Sequence, residues 1–204
     1  MHNTPSEPRG RLPRPARIDR ARRRFSVLPL LGLPLLGLGV LGVGALALPA
    51  AADPTLRDLQ VAVRALAFLE QPPTGQAEIG IVYPEQSPAG RAEAQRVAER
   101  FGDGLRAGNL TMRPRLVTVA GAGQAGTAAL LLTEAALPQA GEVAAAIARR
   151  GVVTITTNPG AVQGGTVVLA VRSSPRVEIL VNRAAAEAAG VSFAAAFRMM
   201  IQER

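Results

Sequence analysis

Apolar and polar positions alternate along this chain with two different periods, and the periods change places several times. Between Thr55 and Glu70, Leu56, Leu59, Val63, Leu66 and Ala67 recur at helical spacing. Thr55 stands where an N-cap belongs, Asp58 follows three residues later, and Gln71-Pro72-Pro73 ends the helix. Ala77–Tyr83 is a short β-branched run and predicts a strand. Pro84–Pro88 reads as a turn. Ala89–Arg106 predicts an amphipathic helix, with Ala92, Val97, Phe101 and Leu105 inward and Arg91, Glu93, Arg96, Glu99 and Arg100 outward.

The alternation continues to the C-terminus. Arg113–Val119 and Ala128–Thr133 predict strands, Gln139–Arg150 an Ala-rich helix capped by Gly151, and Val152–Thr156 a further strand. Thr157–Gly165 reads as a loop. Val167–Val171 and Val177–Val181 predict a β-hairpin, and Asn182 opens a final helix pair broken at Gly190. Strands separated by helices indicate an α/β fold: a mostly parallel sheet flanked by helices in three layers, with a C-terminal β-hairpin and helix pair. Ligands on such sheets sit beyond the carboxyl ends of the strands. Those ends here are the segments Tyr83–Pro88, Ala120–Gly126 and Thr157–Gly165.

The first 52 residues have neither period. Residues 1–24 form a basic, Pro-containing n-region that should be disordered, and residues 25–52 are apolar and free of charge until they leave through Leu48-Pro49-Ala50-Ala51-Ala52. Small residues at Ala50 and Ala52 predict signal cleavage after Ala52. Residues 53–204 then form a single α/β domain in a periplasmic compartment. An uncleaved membrane anchor is the alternative, since the apolar stretch is long enough to span a bilayer. Arg22-Arg23-Arg24-Phe25 resembles a twin-arginine motif, although the general export route fits the leader better.

Composition then narrows the chemistry. The formal net charge is +8, but residues 1–52 carry eight Arg against two acids and the rest fifteen Arg against thirteen. The basic character belongs to the leader, and few aromatics are present to stack bases, so nucleic acid is not an expected partner. The chain has no Cys and no Lys, and its one His is His2. Cys–His and Ser–His nucleophilic pairs, zinc sites built on Cys and His, Schiff-base lysines and P-loops are excluded. No metal or cofactor is expected, and the chain reads as a non-enzyme. Glu85, Glu134 and Glu178 are carboxylates, but no spacing selects two of them as an acid–base pair.

Two glycine segments invite ligands. Gly121-Ala122-Gly123-Gln124-Ala125-Gly126 is a literal GxGxxG, but it does not follow the first strand and no acidic residue ends a strand some twenty positions on. It reads as a glycine loop. The better binding candidates are Asn158, Gly160, Gln163, Gly164 and Gly165, in a loop that exposes backbone donors, with Arg176, Glu178 and Asn182 on the following hairpin. Arg176 and Glu178 share one strand face, as an ion pair would. Phe193, Phe197 and Met200 lie in the apolar tail, as core or as a surface for self-association or a partner, and a homodimer is possible.

These segments also carry a resemblance. The helix ending Ala67-Phe68-Leu69-Glu70-Gln71-Pro72, the pair Gly164-Gly165 before Thr166-Val167, and the strand Ile179-Leu180-Val181-Asn182 resemble the YfiR/HmsC-like family. So do the Ala184–Ala189 helix, Gly190, and the closing segment Ser192–Ile201. The resemblance spans Thr55–Ile201. It departs where the family often has an acid two residues before the Asn; here that position is Leu180, with Glu178 two earlier. Family cysteines are missing. The resemblance implies an exported, non-catalytic regulator that restrains a membrane signalling protein, such as a diguanylate cyclase, through its periplasmic part. It implies roles in cyclic di-GMP signalling and biofilm formation. The alternative is a single-lobe solute-binding component of an ABC-type uptake system, with a small-molecule ligand.

Overall fold

The computed structural model describes residues 53–199 and 201–203. The leader, with Ala50 and Ala52, and Met200 lie outside the described residues. The elements follow in the order α1 (Leu56–Leu66), β1 (Gly75–Tyr83), α2 (Pro88–Phe101), β2 (Leu105–Ala107), β3 (Leu110–Thr118), β4 (Ala129–Leu132), α3 (Ala140–Ala146), β5 (Val153–Thr156), α4 (Pro159–Gln163), β6 (Leu169–Arg172), β7 (Glu178–Val181), α5 (Arg183–Ala189), α6 (Ala195–Arg198) and β8 (Gln202–Glu203). Single 3-10 segments precede β4 (Ala122–Gln124) and α3 (Glu134–Gln139).

The strands form one sheet in the order β2-β3-β1-β4-β5-β6-β7-β8. β3, β1, β4, β5 and β6 run parallel; β2 and β7 are antiparallel to their inner neighbours. The five parallel strands, counted in chain order, stand 2-1-3-4-5, the doubly wound order whose switch point lies between the first and third. The chain therefore leaves β3 on one side of β1 and enters β4 on the other. The predicted α/β class, mostly parallel sheet and C-terminal hairpin are all present.

Strand alternation distributes the side chains to two cores. Ile79 and Ile81 of β1, Leu131 of β4 and Ile155 of β5 meet α1, α2 and the C-terminal helices on one face. Val82, Leu130, Leu132 and Ala170 meet Val143 of α3 and Val162 of α4 on the other. Strands buried on both faces explain why their sequences are continuously apolar rather than alternating.

Several boundaries differ from the sequence reading. The helix over Ala89–Arg106 ends at Phe101, because Gly102 adopts φ +52° and reverses the chain. Leu105 is still buried, but as part of edge strand β2. Gln139–Arg150 is divided: a 3-10 segment containing Pro138 leads into the shorter α3. Thr157–Gly165 is not only a loop, since Asn158 caps the short helix α4.

The tail forms part of the core. Glu70 N donates to Ser192 O at 2.9 Å, and Ala194 N to Phe68 O at 2.8 Å, so the chain after α1 pairs with the last segment. Phe197 stacks on Phe68 at 4.8 Å and on Phe193 at 5.3 Å between ring centroids. Phe193 and Phe197 are 5% and 2% exposed. As side chains offered to a partner surface they are corrected to core residues: both rings are already covered from within. α5 stops at Gly190, whose φ is +73° and whose missing Cβ would meet the Arg149 backbone at 3.2 Å.

Candidate functional site

Three strand ends and one helix start converge at the carboxyl edge of the sheet. β4 delivers Glu134, β5 delivers Thr157 and Asn158, β6 delivers Arg172 and Ser174, and the start of α1 supplies Thr55 and Asp58. With Asp53 they surround a cleft of about 350 Å³. A smaller hollow of about 130 Å³ adjoins it, sharing Pro159 and Arg172 and adding Gln163, Glu178 and Leu180. The first lies at the lower end of the size range of small-molecule sites.

Each polar wall is fixed by local chemistry. Thr55 and Asp58 form a capping box: Asp58 N donates to the Thr55 hydroxyl at 3.2 Å, and Thr55 N donates to Asp58 Oδ2 at 2.8 Å. The other Asp58 oxygen accepts from Ser173 N at 2.6 Å, which ties α1 to the end of β6. Burial pushes the Asp58 carboxyl up, but these donors outweigh it and hold it below its ordinary value. Asp53 is also held low: Arg96 binds it at 2.8 Å, against the opposing effect of burial, and Arg100 adds to the pull at 3.5 Å.

Asn158 links two walls. Its Oδ1 accepts from Gly160 N at 3.0 Å and caps α4, while its Nδ2 donates to Glu134 Oε2 at 3.1 Å. Beneath Glu134 lies Glu93 of α2. Its two carboxylate oxygens accept from Glu134 N at 2.8 Å and Ala135 N at 3.3 Å. Burial drives the Glu93 carboxyl above its ordinary value, the two N–H donors partly offset this, and the charges of Asp53 and Glu134 raise it further. Glu93, Glu134 and Asn158 thus form one relay from α2 through the end of β4 to α4.

The predicted binding residues divide by position. Asn158 lines the main cleft, Gln163 and Glu178 line the adjoining hollow, and Gly160 lies within α4. Glu178 is clasped by Arg172 at 2.5 Å and Arg176 at 3.2 Å, and these guanidiniums hold its carboxyl low. Arg176 is the outer member of that pair and lies well exposed. Gly164 and Gly165 end α4 away from the cleft, and Gly165 borders a separate hollow between α3 and α5. Asn182 is buried. It caps α5 by accepting from Ala185 N at 2.8 Å and donates to Val162 O at 3.0 Å, so it joins α5 to α4.

Sequence reasoning missed Asp53, Asp58, Glu93 and Arg172 as site residues. Glu93, expected outward, is 9% exposed. Its spacing from Gly90, Val97 and Phe101, all buried, places it on the inward stripe; only its charge argued otherwise. The glycine loop Gly121–Gly126 does not open a nucleotide site. Its 3-10 turn packs on the end of α3, where Gly123 abuts Ala146 and its carbonyl accepts from Arg150.

A family match decides what this scaffold is. The model of the YfiR/HmsC-like family matches residues 60–199, which include every strand but β8 and the whole sheet edge from Glu134 to Arg172. The chain belongs to the YfiR/HmsC-like family. YfiR/HmsC-like proteins are non-catalytic periplasmic regulators of diguanylate cyclase signalling, and their partners are membrane signalling proteins. A search of curated proteins finds no match. Among the described residues no helix is long and apolar enough to cross a membrane, and no three acidic or His side chains are grouped to hold a metal ion.

Proposed function

We propose that this YfiR/HmsC-like protein is exported, carries out no chemistry of its own, and restrains a membrane signalling protein by binding its periplasmic part. The family match over residues 60–199 carries the reading. A diguanylate cyclase is the partner of choice, and cyclic di-GMP with biofilm formation is the output. The cleft edge fits a binding role. Its carboxylates are engaged by capping donors, guanidiniums or backbone N–H groups, and the described residues contain no Cys or His to act as nucleophile or base beside them.

Arg172, Glu178 and Gln163 on the rim of the smaller hollow, with Asn158 next door, are the residues we assign to ligand or partner contact. A single sheet supplies one lobe, and a clamshell carrier needs a second lobe facing it. That favours the regulator over the carrier. Deleting the gene should raise cellular cyclic di-GMP and thicken biofilm, and an unchanged level across growth conditions would remove the cyclase from the account.

A further inference from the structure

Part of the sheet lacks the cover that parallel sheets normally have on both faces. The chain passes from β3 across β1 to β4 on the face opposite α2, where a doubly wound fold usually places a helix. Here that passage, residues 119–128, holds only the 3-10 turn Ala122–Gln124. It meets β1 at Gly80, where a Cβ would come within 2.6 Å of the Leu130 side chain and 3.4 Å of Thr127 Oγ1. Nearer the amino ends of the strands, no described helix lies over this face. Gln76, Glu78, Arg106, Arg113 and Arg115 are exposed there, although β1 and β3 are inner strands of the sheet.

Strand alternation fixes what the open face presents. Ile79 of β1, Met112 of β3 and Leu105 of β2 belong to the core under α1 and α2, so the alternate residues point the other way. Register sets Glu78 beside Arg113, Gly80 beside Arg115, and Thr111 between Gln76 and Arg106. Glu78 is the single acid on these strand positions, and Arg115 binds it at 3.0 Å. Arg106 and Arg113 have no carboxylate partner among the described residues; Asp103, in the turn before β2, binds neither. Arg150 adds a guanidinium at the border, where it donates to Gly123 O of the crossing segment. The face is therefore flat and basic, and none of its exposed side chains is apolar.

We propose that this open basic face rests on the anionic phospholipid headgroups of the membrane that holds the signalling partner. Stable protein interfaces are built around apolar and aromatic anchors, which the face lacks. A second copy would bring its own arginines against Arg106 and Arg113, and like charges set opposite one another repel. A headgroup layer asks only for charge, and guanidiniums pair well with phosphate oxygens. Each arginine at such a surface raises the partition about five-fold, so the contact is weak and reversible. It would hold the protein beside the membrane while the cleft, at the carboxyl ends of the strands, stays open to the partner. The inference rests on the reading of a membrane-embedded partner, but the lipid contact needs no partner to be measured, so either can fail without the other.

The test is cosedimentation with vesicles of phosphatidylcholine alone and of phosphatidylcholine with an equal part of phosphatidylglycerol. The protein is expressed from its full gene, so any leader residue that remains is common to all variants. The wild type should favour the anionic vesicles, and added salt should remove the preference. Arg106→Gln combined with Arg113→Gln should lower the partition about 25-fold, at about five-fold per arginine. The charge-matched pair Arg57→Gln with Arg64→Gln, on the exposed side of α1, should leave it within about two-fold. Glu78→Gln, which removes the acid of the face, should raise it about five-fold, a change of opposite sign that a general loss of fold would not give together with the first. Equal partition into the two kinds of vesicle overturns the proposal, and so does an equal loss from the α1 pair. Dimerisation that Arg113→Gln abolishes, without vesicle binding, also overturns it and gives the face to a second copy.

Discussion

At the level of single residues, the carboxylates of the sheet edge oppose one another in their response to pH. Asp53 and Asp58 have lowered values, Asp53 through its Arg96 contact and Asp58 through donors that outweigh its burial. Their contribution to stability is present above the ordinary value of 3.8 and is lost as pH falls through the lower, folded values. Glu93 has the opposite sign. Its folded value is raised by burial above 4.5, so the native state holds that proton longer than the unfolded chain does. Stability therefore falls as pH rises from 4.5 through the folded value of Glu93. Urea unfolding across pH should show this decline in wild type and a flatter profile above pH 4.5 in Glu93→Gln, with the acid loss retained. Equal slopes in the two proteins would mean that Glu93 is not held in the buried state described.

The charge pattern misled at Glu93 because a buried carboxylate satisfied by two backbone N–H groups looks, in sequence, like any solvated acid. Asp58 was legible as a capping partner. Its second role, accepting from Ser173 N, depends on a contact across 115 positions and leaves no local trace. Arg172 is similar: its place between two hollows follows from strand order, which periodicity does not encode.

At the level of elements, the sequence pattern located β1, β3, β4, β5 and β6, most plainly β4, β5 and β6, which are covered on both faces and nearly all buried. The short elements were hidden. β2 is three residues long and α4 five, too brief for either period to register. The hairpin and the helix pair were legible because Asn182 and Gly190 punctuate them, one as an N-cap and the other as a left-handed C-cap. The apolar tail was ambiguous between core and partner surface, and the stack Phe68–Phe197–Phe193 resolves it for the two rings. Phe197→Ala should cost about 3–5 kcal/mol in urea unfolding, the range for a buried aromatic. Met199, which is 89% exposed, should tolerate Ala within about 0.5 kcal/mol. A Phe197→Ala protein of unchanged stability would place that ring at an interface instead.

At the level of the whole molecule, the 2-1-3-4-5 order of the parallel strands and the two cores produce a rigid sheet with one polar edge. The start of α1 folds over that edge and helps to wall it. The sequence resemblance pointed to the family through the end of α1 and, above all, through the segment from Gly164 to Ile201. Those residues turn out to supply core, with Asn182 joining α5 to α4 and Phe197 closing over α1. The polar edge takes Arg172, Ser174 and Glu178 from the same stretch and joins them to Asp58, Glu93, Glu134 and Asn158 through contacts spanning 24 to 115 positions.

The central claim is that the protein acts from outside the cytoplasm to restrain a membrane signalling partner. The most direct measurement is cyclic di-GMP in a deletion strain complemented in two ways, with the full chain and with a leaderless chain beginning at Asp53 after an initiator Met. The account predicts elevated cyclic di-GMP in the deletion, restored to the wild-type level by the full chain and left high by the leaderless one at equal protein abundance. No elevation in the deletion, or equal restoration by the leaderless chain, would contradict it.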